Sequence, residues 1–266
     1  MAQNGRPPVV FVPGLWMHAD SWKDWADAFR DRGYEPIARS WPGVPPTVAE
    51  ARAHPEGMVG RGIAEIANHY AGLISSLPSK PVVVGHSFGG LIAQNLLGRG
   101  LASAAVAIDA APIKGVLVLP LSTIRASLPV LRNPANAKRT VQLTEEEFRY
   151  GFANAVSVDE AAELYRRWAI PGPGRPLFQA AVANLVPHSE AEVDTRNATR
   201  GPLLLIAGEV DHIVPPAVTR ATFKLYQKSS ALTELRELPG RGHSLTIDHG
   251  WREVAETSLS WLAARA

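Results

Sequence analysis

The chain has 266 residues, 46% hydrophobic and 20% charged, an ordinary globular composition with enough length to bury a core unaided. It contains no cysteine, which excludes disulfides, Cys-ligated zinc and a thiol nucleophile. Its 27 basic and 25 acidic residues leave a formal net charge of +2 with no basic run longer than two, so nothing argues electrostatically for nucleic acid or an anionic membrane as partner.

The opening "MAQNGRPPVVFVPG" lacks the apolar region of a signal peptide, and no apolar run approaches the ~18–20 residues of a membrane span. A cytoplasmic protein is the expectation. Residues 8–12, "PVVFV", read as a short buried strand. Trp22, Trp25, Ala26 and Phe29 follow at i, i+3, i+4 and i+7, one face of a helix closed by Gly33. "YEPIAR" at 34–39 reads as a second strand, and "SWPGVPPTVAEARAHPEGM" as a Pro/Gly-rich loop. A long amphipathic helix then carries Ile63, Ile66, Ala67, Tyr70, Ile74 and Leu77. A strand over 81–85 runs into Ser87 and an apolar helix over 88–98, and "AAVAID" at 104–109 is the fourth strand.

From 113 to 200 no convincing strand is legible. Thr144-x-x-Glu147 and Ser157-x-x-Glu160 read as capping boxes that start helices carrying Phe148 and Phe152, then Leu164 and Trp168. "IPGPGRP" interrupts, with a further helix near 177–186. Alternation resumes with "PLLLIAG" at 202–208, a helix near 216–228, a strand near 233–238 and a terminal helix carrying Trp251, Val254, Ala255, Ser258 and Leu262. Strands alternating with helices predict an α/β fold, a mostly parallel sheet wrapped on both faces. Residues 1–112 and 201–266 form its core, and residues 113–200 a helical cap.

"VVVGHSFGG" carries the chemistry. Composition alone yields a G-x-S-x-G about 0.1 times in such a chain, so the strand before it and the helix after it bear the weight. A serine hydroxyl needs a base within reach, and the base needs an acid to orient it. His243, in "LPGRGHSL" between the last strand and the terminal helix, is the expected base. Asp211 ends a buried strand in "LLLIAGEVDHIVPP", where reactive groups of open parallel sheets gather, and is the expected acid. Asp109, also at a strand end, is its rival. His86 is expected to pack beside the site, His212 to lie on its rim, and Asp248 to cap the terminal helix or face solvent. An attacked carbonyl develops an oxyanion that needs preorganised N–H donors. Phe88, directly after the serine, supplies one; the loop after the first strand supplies the other from Leu15 or, second to it, Trp16. Trp16, Phe152 and Trp168 are expected on the substrate pocket wall.

With "FVPGLW", "GHSFGG", "GEVDHIVP" and "GRGHSL" in that order, the chain resembles the α/β-hydrolase fold superfamily over residues 8–265. It is similar to the compact plant esterase and hydroxynitrile lyase branch, which shares a Gly-x-Trp after the first strand and another Trp six residues on, here Gly14, Trp16 and Trp22. The resemblance implies Ser87 as nucleophile, Asp211 as acid and His243 as base, and the 113–200 insertion as the cap. Relatives using Asp as nucleophile, the haloalkane dehalogenases and epoxide hydrolases, are excluded by Ser87. Two departures stand out. Pro13 occupies a position where these proteins usually carry His, which braces the oxyanion loop. Too few residues precede the first strand for the usual first two, so six strands are expected.

The expected activity is a carboxylesterase or lactonase acting on a small, largely apolar ester, without metal or cofactor. The same triad could serve a hydroxynitrile lyase, a C–C hydrolase or an acyltransferase, and a non-catalytic ligand receptor is the reading of another class. A lyase typically wants a cation near its substrate, for which Lys114 is one source. The sequence does not set the oligomeric state.

Overall fold

The computed structural model describes residues 6–265. Six strands form one wholly parallel sheet: β1 (Pro8–Val12), β2 (Glu35–Ala38), β3 (Val82–His86), β4 (Ala104–Ile108), β7 (Leu203–Gly208) and β8 (Thr233–Leu238), in the order β2-β1-β3-β4-β7-β8. The expected strand count and sheet type hold. Both faces are covered, so the central strands read as continuous apolar runs. Successive side chains still divide between the two faces. Val9, Phe11, Val84, Val106 and Ile206 face α1 (Lys23–Arg30) and α10 (Trp251–Ala263). Val10, Val12, Val83, Ala105 and Leu205 face α3 (Ile63–Ser75), α4 (Phe88–Gly98) and α9 (Pro216–Tyr226).

The first face is aromatic. Trp22, Trp25 and Phe29 surround Phe11 with ring centroids 5.0–6.4 Å away, the payoff of the helical spacing seen in the sequence. Trp25 also donates its indole N–H to the Thr246 carbonyl (2.8 Å), fixing the loop between β8 and α10.

Between β4 and β7 lie α5 (Leu121–Leu131), β5 (Thr140–Val141), α6 (Glu145–Gly151), α7 (Val158–Trp168), β6 (Gly172–Pro173) and α8 (Arg175–Ala181). β5 and β6 pair as a two-residue antiparallel ribbon that the sequence did not disclose. Neither α5 nor α2 (Val48–Ala53) was expected; α5 carries Pro129 and α2 lies inside the Pro/Gly-rich stretch. The Thr144 capping box is complete, but at Ser157 only half of one forms. Glu160 gives its amide to the Ser157 hydroxyl, while its carboxylate turns to the amide and ring of His249.

Because every strand of the sheet runs the same way, the turns after β1, β3, β4, β7 and β8 all emerge at one edge. Those five turns carry residues 13–16, Ser87, Asp109, Asp211 and His243.

Candidate active site

Ser87 sits between β3 and α4 with φ +55° and ψ −122°, a strained setting for a non-glycine residue. The turn is this sharp because the chain passes extremely close to itself. A Cβ on Gly85 would overlap the Gly89 carbonyl, and a Cβ on Gly89 would overlap the carbonyl of Val12 at the end of β1. The Ser87 amide donates to the Ile108 carbonyl (2.9 Å), and its carbonyl accepts from Gly90 (2.9 Å) and Ala111 (2.9 Å). The serine is therefore fixed to β4 as well as to its own helix.

Asp211 and His243 meet, both fully buried at the side chain, with Asp211 Oδ2 2.6 Å from His243 Nδ1. The other Asp211 oxygen accepts the amides of Ile213 (2.6 Å) and Val214 (3.0 Å). Nδ1 of His243 thus carries the hydrogen, and Nε2 is left as a buried lone pair with no hydrogen-bond partner. No hydrogen bond joins that nitrogen to Ser87.

His86 links the two regions. Its Nε2–H donates to the His243 backbone carbonyl (2.9 Å), and the two rings lie 4.5 Å apart. Burial, and the positive charge His243 carries when protonated, hold the His86 imidazole well below its usual value, so it stays neutral. His212 instead points its Nδ1 at the Tyr150 carbonyl (2.9 Å).

Asp248 departs from expectation. It is buried rather than at the surface, and it accepts from Arg241, from the Ser244 hydroxyl (2.8 Å) and from the Gly250 amide (3.0 Å). It therefore ties together the loop on which His243 stands.

Asp109 is fully buried too. Its Oδ1 accepts the Gly208 amide (2.7 Å), and its Oδ2 lies 4.0 Å from His243 Nδ1. Burial first, then the neighbouring Asp211 carboxylate, push its carboxyl well above the usual carboxylate range. Asp211 makes the shorter contact with the imidazole.

The loop after β1 packs directly on the serine: a Cβ on Gly14 would lie 3.0 Å from the Ser87 Cβ. Among the described residues, no protein acceptor takes the amide hydrogen of Leu15 or Phe88. Pro13 is braced by a residue that sequence reasoning missed. Its carbonyl accepts the indole N–H of buried Trp41 (2.9 Å). The same loop is pinned from the other side by Trp16 Nε1 to the Val141 carbonyl (3.0 Å), and by a bridge between Met17 and Ala169.

A cavity of about 420 Å³ opens onto Ser87. Trp16, Phe88, Leu128, Leu177 and Val214 are among its walls. Phe152 and Trp168 do not line it. Phe152 packs behind the imidazole, 4.8 Å from the His243 ring and 6.1 Å from that of Trp16. Trp168 gives its carbonyl to the His18 amide (3.3 Å) while Arg167 lies over its ring. Aromatic residues at helical spacing reveal a buried face but not what that face touches.

The cavity wall contains no charged side chain among the described residues. Apart from Ser87, its polar side chains are already bonded within the protein. Thr123 donates to the Ile213 carbonyl (2.9 Å), Ser127 to the Thr123 carbonyl (2.8 Å), and Asn184 bonds both the Gly115 amide (2.6 Å) and the Val116 carbonyl (2.7 Å). At the mouth the apolar wall continues into solvent: Leu117 is 80% exposed and Leu119 67%. His86, Asp109 and His243 also place potential metal ligands within 4.8 Å of one another. Nδ1 of His243 is engaged by Asp211 and Nε2 of His86 by a carbonyl, which suits hydrogen bonding better than ligation.

Residues 9–257 match the sequence profile of the alpha/beta hydrolase family. No curated protein matches the sequence significantly. Among solved structures, the chain is similar to a monoacylglycerol lipase from Paleococcus ferrophilus (TM-score 0.69, 21% identity, covering 98% of this chain and 97% of that one). It is also similar to an extracellular alpha/beta-hydrolase from a Paenibacillus species (0.69, 19%, 96% and 98%) and to a methylesterase from Arabidopsis (0.65, 16%, 97% and 99%). At these identities the likeness is one of fold.

Proposed function

Because the chain belongs to the alpha/beta hydrolase family, we propose that it is a serine carboxylesterase for neutral, apolar esters. Ser87 is the nucleophile, His243 the general base and Asp211 its orienting acid, and residues 113–200 cap a core formed by 1–112 and 201–266. The Asp211–His243 bond carries this reading. It fixes the tautomer whose free Nε2 can take the Ser87 proton, and a hydrogen bond from Ser87 that is absent before substrate binds can close in the complex.

Ser87 Oγ attacks the ester carbonyl carbon as His243 Nε2 takes its proton. The carbonyl oxygen becomes an oxyanion held by the amides of Phe88, at the positive end of α4, and Leu15. The C–O bond to the alcohol breaks, and His243 returns the proton to the leaving oxygen. Water, deprotonated by His243, then releases the acid from Ser87 by the same route.

The cavity's own chemistry supports the substrate class. Its wall has no charge, and its side-chain polar groups other than Ser87 are spent on the protein. The bare leucines at its mouth extend that wall outward, which favours a chain longer than the small ester expected from sequence. A lyase would want a cation facing the substrate, and Lys114 is paired with Glu192 (3.0 Å) instead.

A fluorophosphonate should label the protein at Ser87. Along a p-nitrophenyl ester series from acetate to decanoate, kcat/KM should climb, by at most about fourfold per added methylene. Absence of labelling together with absence of turnover sinks the hydrolase; a profile that falls beyond butanoate sinks the apolar substrate class.

Trp41→Phe tests the oxyanion loop. It removes the N–H held by the Pro13 carbonyl but keeps a ring. Turnover should fall about three- to tenfold in kcat, the worth of one hydrogen bond, with KM little changed. An unaltered kcat would show that Trp41 does not brace the loop.

A further inference from the structure

We infer that Asp109 sits in this site as a neutral carboxylic acid whose Oδ2–H donates to the Asp211 carboxylate, making it a positioning residue for the Asp211–His243 pair. The inference rests on the triad reading above.

The geometry begins with an orphan. Asp109 Oδ2 is buried and no donor reaches it, although Oδ1 of the same group takes the Gly208 amide. A buried charged oxygen without a donor is strongly disfavoured, whereas an O–H in that place becomes a donor itself. An acceptor is at hand, because Asp109 Oδ2 and Asp211 Oδ2 converge on the same His243 Nδ1, at 4.0 Å and 2.6 Å. Two carboxyl groups sharing one small buried site do not both ionise. Asp211 already receives two backbone amides and the His243 N–H, so it keeps the charge. Asp109 receives one amide and keeps the proton.

The charged and titratable groups facing Asp109 are Asp211 from the turn after β7, His243 from the turn after β8, His86 from the end of β3, and Arg241, whose guanidinium is held by Asp248. His86 stays neutral and Arg241 is engaged elsewhere, so neither supplies a counter-charge in contact. The backbone carries the same message. Trp16, Ser87 and Asp109 are the three non-glycine residues with positive φ among those described, and Asp109 holds +42°. Its amide is bonded to the Ile206 carbonyl (2.8 Å), and two residues on Ala111 bonds the Ser87 carbonyl. A strained backbone clamped between the serine and β7 marks a side chain whose place matters.

The test compares wild type with Asp109→Asn, Asp109→Ala, Asp211→Asn and the double Asn variant. An infrared difference spectrum of wild type minus Asp109→Asn at neutral pH should show the carbonyl stretch of a protonated carboxylic acid. The Asn amide still donates to Asp211 and accepts from Gly208. Asp109→Asn should therefore lose no more than about fivefold in kcat/KM, with the acid limb of its pH profile unmoved, whereas Asp109→Ala should lose about 10- to 100-fold. In Asp211→Asn, Asp109 is the carboxyl left 4.0 Å from His243 Nδ1. Burial still holds that carboxyl high, so residual turnover should be lowest at acid and neutral pH and rise as the pH passes through its raised value. The double Asn variant should lose that alkaline rise.

A missing acid band would overturn the proposal. So would an acid limb in Asp109→Asn displaced downward by more than about one pH unit, since removing a real negative charge 4.0 Å from the imidazole would do that. The band does not depend on turnover. An enzyme without Ser87-dependent activity would therefore refute the hydrolase reading while the spectrum still decided the state of Asp109. Should Asp109→Ala fail to fold, the spectrum and the Asn variant decide the question.

Discussion

Ser87→Ala is expected to lower kcat/KM by about 10⁴- to 10⁶-fold and to abolish fluorophosphonate labelling, while its unfolding free energy stays within about 0.5 kcal/mol of wild type. The two halves of that result belong together. The Ser87 contacts that hold the turn are made by its amide and carbonyl, which alanine keeps. The positive φ strains alanine as it strains serine. Lost activity in a protein that still folds would place the covalent step on this oxygen. What remains should still exceed the rate in water, because the Phe88 and Leu15 amides and the cavity are untouched. A Ser87→Ala enzyme that kept a hundredth or more of wild-type turnover would mean that the ester is cleaved without an acyl-serine.

Gly85→Ala and Gly89→Ala are expected to have the largest effects on stability, about 4 kcal/mol or more each. At both positions the added methyl would meet a backbone carbonyl, that of Gly89 in one case and Val12 in the other, and neither can swing aside as a side chain does. Relief requires α4 to lift from β3 or β1, taking the serine with it. Gly72→Ala is the matching control. Gly72 lies in α3 with open space where the Cβ would stand, so alanine there should stabilise by about 0.5–1 kcal/mol. Urea unfolding of the three variants measures the contrast. Gly85→Ala unfolding within 1 kcal/mol of wild type would show that the turn has room to relax.

The four central strands could be read in advance because a parallel sheet buried on both faces leaves unbroken apolar runs, whereas the edge strands β2 and β8, polar and partly exposed, were legible from the strand–helix alternation around them. The same regularity made Ser87, Asp211 and His243 legible, each in a turn that follows a strand. The helical segment was legible only in part. Caps are local chemistry, so the helices starting at Thr144 and Ser157 were found. α5 was not, since its apolar residues cluster at the cavity mouth instead of forming a buried stripe, and only Val130 of that helix is fully buried. Contacts made across the fold left no local trace. Trp41 reaches Pro13 from 28 residues away, Asp248 turned inward to Arg241, and Phe152 went behind the imidazole instead of into the pocket. Asp109 stood as a rival acid because a strand end is all that a sequence shows; its role depends on what lies beside it.

The three positive φ angles at Trp16, Ser87 and Asp109 have a bearing on how this protein can be changed. Each stores conformational energy that the sheet and its helices hold in place. A selection for heat tolerance that ignores activity would be drawn to Ser87, where glycine releases the tension and removes only a small side chain, and not to Trp16, whose loss would leave a cavity in the core. Such variants would gain robustness and lose their trade. Improvements that keep the enzyme working have to come from elsewhere, such as the solvent side of α3, where alanine at 72 touches nothing.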